Sequence, residues 1–348
     1  MSATARSAAH PGWLVFRSFS LVALATGCVV LACLFILAIQ LSTIWHAREV
    51  RLHEAGDAAA NVSQAVAQHA YDTLKEVDTL LLGLVERGDI LGPSDVDRSR
   101  LQALLSSRVA ELPQLQAIIV YADDDRVLIS SGSGMPAYAD SAGNEYLGHH
   151  RQHSELQPYI GMGAGKQANG DSIMGVSRRI NLPDGRFGGV VLATVRLDYF
   201  RKFYEEFSIG EQGAILMQSA AGRIVLKRPF DGDVSEIEPR PSPFFSEALA
   251  AVKIKETRAS QGQDGKSRII SYRKITEYPL VVLTALSQDE ALKGWRSDGC
   301  LQIAALSALI LLIGFLGCRM IRQLTSRLII EEEFKESSDE LKESNQLL

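Results

Sequence analysis

Two uninterrupted apolar runs, one near each end, decide most of what this chain can become. Leu21 to Ile39 reads LVALATGCVVLACLFILAI, with no charge in nineteen residues. As a helix, such a run covers about 28 Å, close to the ~30 Å hydrocarbon core of a bilayer. Gly299 to Cys318 reads GCLQIAALSALILLIGFLGC, with Gln302 its one strongly polar side chain. A helix satisfies its own backbone polar groups, so both runs can cross lipid. A buried core helix is the alternative for either, and a cleaved signal peptide for the first. Against cleavage, the first run is long for a signal core, and no small-x-small site precedes a charged mature start.

The flanks give an orientation. Arg6 and Arg17 precede the first run with no acidic residue among them, and Arg319, Arg322 and Arg327 follow the second before any Glu. Both ends are therefore expected in the cytoplasm. Arg48, Arg51, Lys293 and Arg296 lie just outside, but long loops are translocated largely regardless of charge. Cys28, Cys33, Cys300 and Cys318, the only cysteines, all lie within the runs. The long stretch between has no disulfide framework and no Cys-rich metal site, so it must fold on its core alone.

Averages conceal this division. With 36 Lys+Arg against 41 Asp+Glu, the net charge is -5, which argues against a nucleic-acid binder. A hydrophobic share of 46% excludes a wholly disordered chain. Taken alone, those numbers describe a soluble protein of two domains; the apolar excess sits in the two runs.

After the first run, Val62, Val66, Ala70, Leu74, Val77, Leu81 and Leu84 recur every three or four residues among charged and amide side chains. No Pro interrupts Thr43 to Gly88, so one helix of roughly forty residues is expected there. Ser94 or Asp95 can cap a second helix reaching about Leu112. Next, AIIVYADDDRVLISS (117–131) and AILMQSAAGRIVLKR (214–228) align without a gap, 97 residues apart. SRRINLPDGRFGGVVLAT (177–194) likewise parallels SYRKITEYPLVVLTA (271–285), with Pro183-Asp184-Gly185 marking a hairpin. Two matched pairs in the same order imply two tandem lobes of an α+β fold, each built on an antiparallel sheet. An amphipathic helix from Asp198 to Phe207 closes the first lobe, and Ser287 with Glu290 forms a capping box leading into the second run.

A long helix leaving the membrane, two related lobes and a direct return to a second span resemble the double Cache, tandem PAS-like (PDC) sensor domain of bacterial transmembrane receptors. NEYLGHHR, GVSRRINLPDGRFGGVVLATVRLDYF, GAILM, KRPF and SYRKITEYPLVV are similar to the variant found on membrane-bound diguanylate cyclases and sensor histidine kinases. The resemblance covers about 47–295. It implies a cytoplasmic tail (1–20), a first transmembrane helix (21–41), a periplasmic sensor (42–298), a second transmembrane helix (299–318) and a cytoplasmic coiled-coil linker (319–348). Within the sensor it implies a long helix (44–88), a membrane-distal lobe (95–207) and a membrane-proximal lobe (208–290), in a two-pass protein of the bacterial inner membrane.

In such receptors the ligand sits in the distal lobe, between the sheet and a long loop, here 132–175. That region is rich in Gly and holds Tyr138, Tyr146, His149, His150, Arg151, His153 and Tyr159. Tyr138, Tyr146, His150, Arg151, Arg178 and Arg179 are the candidate ligand-binding residues, with strand alternation allowing only one of Arg178 and Arg179 to face the pocket. Solvated helix and surface arginines are the plainer alternative. Amino-acid-binding members carry an acidic residue where this chain has Thr194, and their Arg-x-Trp-Tyr pattern is replaced by NEYLGHHR, leaving Tyr146 as the counterpart. A small organic ligand, with a carboxylate suited to the arginine fork, is therefore expected rather than an amino acid.

No catalytic constellation emerges. Glu145, His149 and His153 share a helical spacing, but a helix would have to run past Gly148, and no metal is expected. Gly161 to Lys166 departs from a phosphate loop in spacing, with Gln167 in place of Ser or Thr. No cofactor and no enzyme activity are expected in this chain. In the tail, Phe334, Leu341 and Leu348 repeat every seven residues, a short coiled coil with polar inner positions that suits a homodimer. The whole suggests a receptor that signals to a cytoplasmic output domain of cyclase or kinase type. The alternative is a membrane-anchored interaction module that regulates a partner protein without sensing a small molecule.

Overall fold

A computed structural model of the chain describes residues 12–87, 90–91, 95–132, 139–161, 173–220, 222–229, 256–261 and 265–346. It divides into two compact units, Leu52–Ala291 and the pair Met1–Arg51 with Leu292–Leu348.

In the larger unit, α1 (Gly12–Val85) contributes its C-terminal half and is followed by α2 (Asp95–Glu111). The helix is longer than the sequence periodicity predicts. No Pro falls between the apolar run and the stripe, so one helix carries both. The first sheet contains β1 (Leu115–Ala122), β2 (Val127–Ser130), β3 (Tyr159–Gly161), β4 (Ile173–Asn181) and β5 (Phe187–Arg196), in the order β2-β1-β5-β4-β3. Between β2 and β3 lies α3 (Ala139–Gln152), in the region expected to be a loop. It runs through Gly148, where an added Cβ would meet nothing. After α4 (Leu197–Glu205), the second sheet comprises β6 (Ala214–Ser219), β7 (Ile224–Arg228), β8 (Glu256–Gln261), β9 (Ser267–Lys274) and β10 (Leu280–Ser287). Its order is β7-β6-β10-β9-β8, the first sheet's order repeated, and all pairings in both are antiparallel.

The repeat extends to turn geometry. Ala122 and Asp125 close the β1–β2 turn as Ser219 and Gly222 close the β6–β7 turn, with Asp125 (φ 68) and Gly222 (φ 77) both left-handed. Glycine adopts that conformation freely, and Asp is one of the few residues that tolerates it.

Strand alternation gives each sheet two buried faces. The stripe of α1 (Val66, Ala70, Leu74, Val77, Leu81, Leu84) is buried against both sheets at once, through Ile118, Val176 and Val191 of the first and Ile215, Met217 and Val282 of the second. Phe200 and Tyr204 of α4 join the same cluster. The opposite face of the first sheet packs against α3, and the opposite face of the second forms a third cluster. Every residue of the three clusters lies between Val62 and Leu286, so the 52–291 unit holds its own core.

The smaller unit consists of the apolar part of α1 and of α6 (Lys293–Gln346), which follows the short α5 (Gln288–Ala291). Both are long and apolar enough to cross a membrane. They run antiparallel: Val29 lies near Gly317, Gln40 Nε2 donates to Gln302 Oε1 (3.2 Å), and Trp295 Nε1 donates to the Ile44 carbonyl (3.0 Å). Leu31, Phe35, Leu301, Leu311 and Phe315 project outward, the pattern expected of a lipid-facing surface.

Candidate ligand site

The face of the first sheet beneath α3 is built by alternation. Ala117, Ile119 and Tyr121 of β1, Ile173 of β4, and Val190 and Leu192 of β5 point to it, and Tyr146 and Leu147 descend from α3. Tyr146 and His150, one helical turn apart, are 0% and 1% exposed. The Tyr146 ring lies over Gly161 and Gly175; a Cβ at either would collide with it, which explains why glycine occupies these two strand positions. Burial pushes the Tyr146 phenol up; its hydroxyl lies against the Gly175 backbone and donates to no described residue.

His150 Nε2 lies 2.9 Å from Ser177 Oγ, and its Nδ1 is buried without a partner. Burial first, then the neighbouring His149, lowers the imidazole to about 4. His149 is stacked between Tyr159 (3.8 Å) and His153 (4.4 Å), and burial lowers its pKa as well. Tyr159 donates its hydroxyl to Glu145 (3.0 Å), fastening α3 to the edge strand β3.

The arginines serve the fold. Arg179 points to the α3 face, where its Nη1 donates to the carbonyls of His150 and His153 and its Nε to Asn181 (2.6 Å). It thereby caps the C-terminal end of α3, where the helix dipole favours a cation, and it stacks on Phe187 at 4.9 Å. Arg178 points the other way, into a two-point ion pair with Asp78 of α1. Arg151 is partly exposed and binds the β1–β2 turn through the Asp123 carbonyl and the Asp125 carboxylate. Of the sequence candidates, Tyr146, His150 and Arg179 therefore come together; Arg151 lies at the rim and Arg178 on the far face. Tyr138 lies outside the described residues, as does the Gly161–Lys166 stretch beyond Gly161.

Thr194 also faces α3, and its Oγ1 accepts from the Ala117 N–H (3.1 Å) where β1 shifts register. Although the helix does pass Gly148, Glu145, His149 and His153 form no metal site: no group of three such side chains could hold an ion among the described residues. Sequence reasoning missed Ser177, Gly175 and Asp78, and took Gly161 for part of a pliable loop rather than the strand position beneath Tyr146. Asp78 carried a signal, an acid four residues after Leu74 inside the apolar stripe.

A tandem pair of five-stranded sheets sharing one long helix, with a buried polar face in the first lobe, defines a two-lobed sensor domain. The chain belongs to the Cache domain family, whose sequence profile matches residues 47–295, and this is a double Cache sensor domain. The extracellular domain of the candidate histidine kinase rpHK1S-Z16 is similar at 28% identity, over 70% of this chain and 99% of that one, with a TM-score of 0.57. The ligand-binding domain of the Pseudomonas aeruginosa PAO1 amino acid chemoreceptor PctB, in complex with L-Gln, is similar in fold: 16% identity, 72% and 98% coverage, TM-score 0.51. No curated protein matches the chain.

Proposed function

We propose that this chain is the sensory half of a two-pass bacterial receptor, whose 42–298 region faces the periplasm and takes a small organic ligand between α3 and the first sheet. The observation that carries this reading is the pair of fully buried polar atoms on that face, Tyr146 Oη and His150 Nδ1, for which the described residues supply no well-formed hydrogen bond. Folded proteins pair nearly all such atoms, and exceptions mark places where a ligand or water completes the bonding. Family membership supports the sensor role, and the two antiparallel apolar helices support a two-pass topology with both termini in the cytoplasm.

Ligand binding would shift the balance between two arrangements of α1 and the lobes, by no more than its differential affinity for the two. That bias would pass through α6 to a cytoplasmic output domain of cyclase or kinase type, with the 319–348 segment pairing two copies.

Titrating the 52–291 unit with a metabolite panel by thermal shift tests the site. A ligand raises the melting temperature by mass action, and Leu192→Trp, which fills the α3 face, should abolish the shift. A panel with no stabilising compound, or a shift indifferent to Leu192→Trp, refutes the assignment.

A further inference from the structure

The polar chemistry of the α3 face also narrows the class of ligand, an inference that rests on the site proposed above. The cations expected to hold a carboxylate are already engaged. Arg178 binds Asp78 and the Leu156 carbonyl, Arg179 binds Asn181 and the end of α3, and Arg151 binds the β1–β2 turn. The acids are engaged too, with Glu145 accepting from Tyr159 and Asp125 from Arg151. Thr194, in place of an acid, exchanges hydrogen bonds with the Ala117 backbone.

Two atoms remain, and their chemistry is definite. The Ser177 hydroxyl donates to the Tyr159 carbonyl (3.4 Å), which leaves its oxygen to accept from His150 Nε2–H. Nδ1 is then the unprotonated nitrogen, a buried lone pair that requires a donor. Around the ring stand His149 and His153 of α3, Arg179 of β4 and Tyr159 of β3. Burial, the two neighbouring histidines and Arg179 oppose a charge on His150, so it remains a neutral acceptor. The Tyr146 hydroxyl, one turn away, can donate. A carboxylate would turn its lone pairs toward that of Nδ1 and find Arg151, Arg178 and Arg179 already engaged.

We propose that the α3 face binds an uncharged molecule of the carboxamide or lactam class, its N–H donating to His150 Nδ1 and its carbonyl accepting from the Tyr146 hydroxyl. Apolar contact comes from Ile119, Tyr121 and Leu192.

The test uses pairs of nearly identical shape that differ in charge: nicotinamide against nicotinate, and benzamide against benzoate. The 52–291 unit is labelled at histidine with 15N and titrated at neutral pH, with the His150 signal identified by its loss in His150→Gln. The amide of each pair should move the Nδ1 resonance and bind about tenfold or more tightly than its acid, the factor expected when a buried acceptor gains its partner. Binding should weaken as the solution approaches the His150 pKa of about 4. Tyr146→Phe should weaken amide binding yet leave the ligand-free melting temperature unchanged or higher, because no described residue accepts a hydrogen bond from the deleted hydroxyl. Acids that bind as tightly as their amides overturn the ligand class and leave the site standing. If no probe moves the His150 signal at millimolar concentration and Tyr146→Phe lowers the melting temperature, class and site both fail.

Discussion

Asp78 and Arg178 join the long helix to the first sheet through two parallel hydrogen bonds, Nε to Oδ1 at 2.5 Å and Nη2 to Oδ2 at 2.9 Å. Their side chains are 7% and 13% exposed, so the pair sits inside the core shared by the two lobes. Arg178 also holds the Leu156 carbonyl at 2.5 Å, which ties the segment after α3 to α1 through one side chain. On the same stretch of α1, Tyr71 meets Tyr278 and Lys75 pairs with Glu277, both from the β9–β10 turn of the second lobe.

Breaking this pair from one side leaves a buried charge without compensation. Arg178→Gln or Asp78→Asn should cost about 3–5 kcal/mol, a drop of roughly 10 °C in melting temperature for a unit of this size. Asp78→Leu combined with Arg178→Met removes both charges and should recover most of the loss. Thermal unfolding of the four proteins decides the matter: a double variant as unstable as the singles would mean that the pair is not the source.

Acid should loosen the unit through His150. Its pKa falls from 6.5 to about 4 on folding, so the folded state prefers the neutral ring and the unfolded chain binds the proton more tightly. The contribution is therefore complete above about pH 6.5, declines as pH falls toward 4, and levels off below. His149, lowered in the same direction, adds to the slope. Denaturant titrations across that window should give a shallower pH dependence for His150→Gln than for the wild type. Parallel curves would remove His150 from the account.

Gly175 should resist even the smallest side chain. A Cβ there falls on the Tyr146 hydroxyl and lies 3.0 Å from Leu192 Cδ1. Gly175→Ala should cost about 1–3 kcal/mol, the usual penalty for overpacking. Tyr146→Leu opens the space, so the two changes together should cost less than their sum. Strict additivity in a double-mutant cycle would contradict the packing described.

Pairing of the two apolar helices can be read by cross-linking. In the full chain with its four native cysteines replaced by serine, Gln40→Cys with Gln302→Cys should form a disulfide on mild oxidation. Gln40→Cys with Leu311→Cys should not, because position 311 lies about two and a half helical turns beyond 302. Equal yields from both pairs would dismiss the register.

Much of the architecture was legible because repetition and periodicity are written directly in residue types. The stripe from Val62 to Leu84 places α1, and the 97-residue offset locates β1–β2 and β6–β7 down to the left-handed turn positions Asp125 and Gly222. The site was less legible. Helix α3 was obscured by Gly143 and Gly148, which lower helix propensity; at Gly148 an added Cβ would meet nothing, so the helix passes it at little cost. The arginines pointed to an anion because sequence shows a charge without showing its partner. Arg178 finds Asp78 across 100 residues, and Arg179 finds the end of a helix that the sequence offered only as the plainer alternative to a loop.

The single core along α1 has an evolutionary consequence. A duplicated module usually keeps each copy intact, so that one can be lost or exchanged. Here neither sheet closes its helix-side face without the same stretch of Val66 to Leu84, and residues from both copies sit in one cluster. The copies have become one inheritable piece: a chimera that imports a foreign second lobe must import a matching α1, and the two halves can diverge only at a pace their common helix tolerates.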